Sequence, residues 1–173
     1  MTASVGIRFA TPLDLDLIAE LVRELAIYEK LGDSFVATPR ALHEALFSSR
    51  PAAEVLIGEL NGEPVGFALF FHNYSTFLGK KGLYLEDLFV RPSSRGNGVG
   101  KALLQALAEL AVQRDCARLE WFVLDWNAPS IAFYKSLGAI PMDGWTIFRM
   151  TQNEIATLAG ARAPALSSTQ EAN

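Results

Sequence analysis

The sequence predicts an α/β domain with a mixed central sheet, and three observations carry that expectation. Strand-like and helix-like apolar periods alternate along the 173 residues. The pair Asn61-Gly62 separates two apolar runs, 53–60 and 64–72, the strongest short hairpin signal a sequence offers. The apolar run 83–90 leads through Pro92-Ser-Ser94 into a glycine-rich turn. That turn opens directly into a helical stripe of Val99, Leu103, Leu107 and Leu110.

Taken in order, residues 5–10 alternate apolar and polar as a first strand. Thr11-Pro12 is a helix start, with Thr11 as cap and Pro12 at the first helical position. Leu13, Leu17, Leu21, Leu25 and Tyr28 form the stripe of that helix, which ends near Gly32. Thr38-Pro39 repeats the start signal for a second helix, closed by Ser-Ser-Arg-Pro at 48–51. The Asn-Gly hairpin follows, then a loop over 73–82, the strand 83–90, and a third helix to about Arg114. Residues 117–124 are rich in strand formers, and a short helix over 130–137 ends at Gly138. Residues 144–151 read as a last strand. The tail from 160 to 173 lacks period and bulk and is expected to be disordered.

Length suits one buried core, and a composition of 50% hydrophobic and 20% charged residues is ordinary for a globular domain. A formal charge of −4, with no basic run or basic helix face, argues against nucleic-acid binding. One cysteine, Cys116, excludes an intramolecular disulfide and a cysteine-based zinc cluster and suits a reducing compartment. The first residues carry no apolar signal region and no stretch approaches a membrane span, so a cytoplasmic location and no membrane partner are expected.

The turn at 95–101 carries the first chemical signal. A helix that begins in glycines leaves its first N–H groups free, with the positive end of the helix dipole behind them. With Arg95 and Lys101 beside it, the turn is a phosphate cradle. It is not a nucleotide P-loop, which needs Gly where Arg95 stands and Ser or Thr where Ala102 stands. Nor is it a dinucleotide fingerprint, which needs Gly in place of Lys101.

The spacing present, Arg95-x-x-Gly98-x-Gly100, resembles the acetyl-CoA pyrophosphate loop of the GNAT N-acetyltransferases. A second segment, Asn127-Ala-Pro-Ser130-Ile-Ala-Phe133-Tyr134-Lys135-Ser-Leu-Gly138, is similar to the family's next conserved helix. The element order agrees independently of either motif. The resemblance implies the GNAT acyl-CoA N-acyltransferase fold, a mixed sheet of six to seven strands flanked by about four helices, over residues 5–152. It implies acetyl-CoA as co-substrate, with no metal. Cofactor contacts are expected from Leu88, Phe89, Val90, Arg95, Gly96, Asn97, Gly98, Val99, Gly100, Lys101, Asn127, Ser130, Tyr134 and Lys135.

The expected reaction is direct attack of an amine on the thioester. A primary amine has a pKa of roughly 10.4 and arrives protonated, so a carboxylate must take its proton, directly or through water. Glu86 is the candidate. A splayed strand at 88–90 could turn a backbone N–H toward the developing oxyanion, and Tyr134 is the expected proton donor to the departing sulfur. Glu86 and the adjacent Asp87 face opposite sides of a regular strand unless a bulge re-aims one of them.

Four segments narrow the resemblance to the diamine acetyltransferase group, which includes spermidine/spermine and thialysine acetyltransferases. They are Leu25-Ala-x-Tyr-Glu29, Tyr84-Leu-Glu-Asp-Leu-Phe-Val90, Trp126-Asn-x-Pro-Ser-Ile-x-Phe-Tyr-Lys135 and Gly144-Trp145. That likeness implies a homodimer and an acidic groove for a small cationic amine, with Glu29, Glu86, Asp87 and Asp143 as substrate-binding residues and Trp145 as a cation–π wall. Polyamine enzymes of the group carry an acid and a Trp in the preceding loop, where Ser75 and Phe77 stand here. A short diamine or a lysine-like amino acid therefore becomes at least as good a candidate as a long polyamine. Acetylation of a protein lysine or N-terminus, and a catalytically silent acyl-CoA-binding module, are the alternatives. The carboxylates weigh against the first, and Tyr134 with Glu86 against the second.

Overall fold

A computed structural model describes residues 3–32 and 36–160. The fold is α/β with two compact units, Met1–Leu124 and Asp125–Asn173. The first holds a mixed five-stranded sheet in the order β1-β2-β3-β4-β5. Its strands are β1 (Val5–Phe9), β2 (Glu54–Leu60), β3 (Glu63–Ser75), β4 (Lys80–Val90) and β5 (Leu119–Glu120). The first four pair antiparallel, while β5 runs parallel to β4.

The Asn61-Gly62 turn joins β2 and β3 as expected, with both residues at positive φ (55° and 85°). Thr11 opens a single 3-10 turn, Pro12–Asp14, ahead of α1 (Leu15–Tyr28). Both its N–H (2.7 Å) and its hydroxyl (2.9 Å) donate to the Asp14 carboxylate. Arg8 donates to the two oxygens of the same carboxylate at 2.8 Å each. Those bonds hold the Asp14 carboxyl well below the usual range, Arg8 contributing most. Thr38 caps α2 (Pro39–Phe47), its hydroxyl accepting from the Ala41 N–H at 3.2 Å.

The two faces of the sheet are covered differently. Ile18, Leu21 and Leu25 of α1 and Leu46 of α2 bury against Val55, Ile57, Phe67 and Phe89, the residues that alternation sends to one face. On the other face lies α3 (Val99–Gln113), whose Val99, Leu103 and Leu107 are buried. A side chain at Gly58 would place its Cβ 2.7 Å from Val99 Cγ1, so the close seating of α3 on β2 requires glycine there.

Three expectations need correction. The sheet has five strands among the described residues, not six to seven. The strand-rich run 117–124 pairs only at Leu119–Glu120, and residues 144–151 form no strand. Apolar alternation raises strand propensity but supplies no ladder partner, and the pairing context decides. Finally, α5 (Gln152–Gly160) joins α4 (Ala128–Ser136) in the second unit, giving five α-helices among the described residues where about four were expected. Thr151 stands just before it, and its N–H donates to Glu154 three residues on, a capping contact hidden under the strand-like reading of 144–151. The tail from 161 onward lies outside the described residues. Among those described, no helix is long and apolar enough to cross a membrane.

Candidate active site

The site begins with a fault in one ladder. In the β3–β4 pairing, Phe70 stands opposite Leu85 and Leu69 opposite Asp87, so Glu86 has no partner across the ladder. It is the extra residue of a β-bulge, which breaks the strict alternation and re-aims the adjacent carboxylates. Glu86 is exposed and Asp87 half-buried. The Asp87 carboxyl is pushed up from its ordinary 3.8 to about 6, by burial first and then by the charges of Glu86 and Glu29. Glu29 follows α1 as its C-terminal cap, and burial raises its pKa as well. The bulge and the end of α1 therefore bring Glu86 and Glu29 within electrostatic reach of Asp87. None of the ion pairs among the described residues includes any of these side chains.

The edge of β4 opens beside this cluster. β5 pairs with β4 only at Leu83 and Tyr84, so from Leu85 to Val90 the ladder on that side has no strand among the described residues. Leu88, Phe89 and Val90, the residues expected to carry the splay, lie in this stretch and pair with β3 on their other side. Phe89 and Val90 are buried and Leu88 is half-buried, which fixes that stretch of backbone in place.

From Val90 the chain passes through a 3-10 turn, Pro92–Ser94, into the glycine-rich loop. Gly96 (φ 79°) and Gly98 (φ 86°) both occupy the left-handed region, and Gly98 is the N-cap of α3. Among the described residues, no atom beyond their chain neighbours lies within 4 Å of where their Cβ atoms would be, so the backbone is approachable as well as strained for any other residue. The first bond into α3 runs from the Ala102 N–H to the Gly98 carbonyl at 2.9 Å. The N–H groups of Val99, Gly100 and Lys101 thus precede any intrahelical acceptor. Asn97 braces the loop by donating to the carbonyls of Ser94 (3.1 Å) and Arg95 (3.3 Å). These features fit a pyrophosphate group: free N–H donors, a helix dipole and the cations Arg95 and Lys101.

Two arginines fasten this loop to α1, and spacing alone did not signal either contact. Arg91 donates to Glu24 (2.8 and 3.0 Å) and to Glu20 (2.6 Å). Arg95 donates through Nε to the Val90 carbonyl at 2.9 Å, and its guanidinium carbon lies 4.4 Å from the centre of the Tyr28 ring. The sequence showed Tyr28 as the end of the α1 stripe and as part of the Leu25–Glu29 segment. Recognising its partner needed the fold.

The second unit holds the remaining candidates. Asn127 is buried and caps α4, its side-chain oxygen accepting from the Ser130 N–H at 3.3 Å. Tyr134 is half-buried, with its ring 5.5 Å from that of Phe133, while Lys135 is exposed in the last turn. Asp143 and Trp145 are exposed in the irregular segment that follows, where the Trp145 N–H donates to the Met142 carbonyl at 3.1 Å. Among the described residues no group of three or more His, Cys, Asp or Glu side chains could hold a metal ion.

Residues 22–139 match the family model described as Acetyltransferase (GNAT) family. A thialysine N-epsilon-acetyltransferase from Bos taurus is 38% identical over 91% of this chain and 99% of its own length. An L-ornithine N5-acetyltransferase from Arabidopsis thaliana is 35% identical over 84% of this chain and 83% of its own. Among solved structures, an integron cassette protein from the mobile metagenome of V. cholerae superposes with a TM-score of 0.74 at 29% identity, over 92% of this chain and 98% of that one. The open β4 edge, the glycine loop at the start of α3 and these matches agree: the chain belongs to the GNAT acetyltransferase family and is an N-acetyltransferase.

Proposed function

We propose that the protein transfers an acetyl group from acetyl-CoA to the primary amine of a small cationic molecule, a lysine-like amino acid or short diamine. The observation that carries this reading is the Glu29, Glu86 and Asp87 cluster. A half-buried carboxylate beside two others is costly without a cation, and no protein cation pairs with it among the described residues. A substrate ammonium supplies the missing charge. The named activities of the relatives, on thialysine and L-ornithine, involve amines of this kind.

In this reading Asp87 and Glu29 hold the cationic substrate, with Asp143 and Trp145 as further contacts. Glu86, exposed on its bulge, takes the proton of the attacking amine through water. The loop Arg95–Lys101 holds the pyrophosphate by its N–H groups. Asn127, Ser130 and Lys135 attend the rest of the cofactor, and the bound thioester supplies the acyl group. The β4 backbone at Leu88–Val90 offers the oxyanion donor, and Tyr134 gives a proton to the departing sulfur. The working domain is 5–152, acting as a cytoplasmic homodimer. Release of free thiol from acetyl-CoA, followed with thialysine, ornithine, putrescine, spermidine and a lysine peptide, tests the reading. Turnover on a small cationic amine supports it, and turnover on the peptide alone refutes it.

A further inference from the structure

The guanidinium of Arg95 stands where the two halves of the proposed chemistry meet. Its Nε–H bonds the carbonyl of Val90, the last residue of β4, at 2.9 Å. Its guanidinium carbon lies over the Tyr28 ring at 4.4 Å from the ring centre and 5.8 Å from that of Phe89, and those two rings are themselves 6.4 Å apart. Tyr28 is the last residue of α1 and directly precedes Glu29, while Phe89 lies two residues beyond Asp87 on β4. Arg95 therefore grips both elements that carry substrate carboxylates. It is also the first residue of the phosphate loop. Among the described residues its two terminal amino groups make no hydrogen bond to protein, so they remain available to an anion.

We infer that Arg95 is a positioning residue that couples the cofactor loop to the amine site through its stack on Tyr28. This inference rests on the proposed reaction and deepens it. An anion on the terminal amino groups holds the guanidinium plane still. A plane fixed over Tyr28 holds the end of α1, and with it the Glu29 carboxylate, against β4. Order at the loop thereby lowers the conformational cost of binding a cation at Glu29 and Asp87. By linkage the amine must tighten the cofactor by the same factor. A lysine cannot substitute, because an ammonium has neither a flat face for the ring nor a fork that reaches a carbonyl and an anion together.

Calorimetric titration of CoA with and without saturating ornithine, beside steady-state kinetics, tests this on Tyr28→Leu and Arg95→Lys. The wild-type protein is expected to bind CoA about five-fold or more tightly in the presence of the amine. In Tyr28→Leu, CoA alone is expected to bind within about two-fold of wild type. The coupling factor falls to about one, and the amine KM rises at saturating acetyl-CoA with kcat less affected. Arg95→Lys is expected to show the same loss of coupling. Coupling that survives in Tyr28→Leu, or a loss confined to CoA affinity with the amine KM unchanged, overturns the inference while the reaction stands. A folded wild-type chain that turns over none of the amines refutes the reaction itself, and the inference with it.

Discussion

Leu69 of β3 faces Asp87 of β4 directly, although its neighbour Phe70 faces Leu85, and the residue passed over is Glu86. One extra residue thus gives two adjacent acids different work. Asp87 stays in the ladder and half-buried, whereas Glu86 stands out of it and exposed. A regular strand would have sent the pair to opposite faces.

Asp87 carries a stability cost that its substitution should reveal. Its folded-state pKa of about 6 lies above the ordinary 3.8, so the protonated carboxyl favours folding. That contribution is complete below about pH 3.8 and is lost as pH rises through about 6. Asp87→Asn is therefore expected to melt higher than wild type at pH 7.5, with no gain at pH 4, and to bind the amine more weakly. Thermal melts at the two pH values measure it. A lower melting temperature at pH 7.5 contradicts the assignment.

The same group sets an acid limb on activity. A protonated Asp87 cannot hold an ammonium, so kcat/KM for the amine is expected to fall below about pH 6. Removing the Glu29 charge removes one of the causes that raise Asp87, and Glu29→Gln should move the limb to lower pH. A pH–rate profile of both proteins reads the shift and its sign.

Gly58→Ala tests the seating of the cofactor loop from below. The new Cβ meets Val99 Cγ1 at 2.7 Å and Leu103 at 3.2 Å, at the start of α3. Overpacking of this kind costs about 1–3 kcal/mol. Chemical denaturation is expected to show that loss, and CoA binding to weaken because the N–H groups of Val99–Lys101 shift with the helix.

Tyr134→Phe removes only a hydroxyl. If that hydroxyl protonates the leaving sulfur, turnover should fall on the order of 10²-fold or more while CoA affinity is kept. Equal losses in both would assign Tyr134 to binding, and unchanged turnover would remove it from the mechanism.

Those parts of the molecule that depend on local chemistry were legible in the sequence. Asn61-Gly62 makes its turn from its own backbone preference, Thr38 caps its helix, and the glycine turn at 95–101 opens directly into α3. What depends on partners was not. The bulge was only a possibility until the register of β3 fixed it at Glu86. Residues 144–151 have the alternation of a strand but no ladder to join. The Arg95–Tyr28 stack joins residues 67 positions apart, by subtraction of their numbers, and no local spacing encodes it.

The central claim is that a carboxylate cluster selects a cationic amine for acetylation. Thiol release from acetyl-CoA with ornithine and thialysine, in wild type and Asp87→Asn, tests it most directly. Turnover is expected on at least one of these amines in wild type, with the amine KM raised at least about ten-fold by Asp87→Asn, which is roughly 1.4 kcal/mol of lost ammonium binding. Wild-type protein that binds acetyl-CoA yet acetylates neither amine, or an Asp87→Asn variant with an unchanged amine KM, would contradict it.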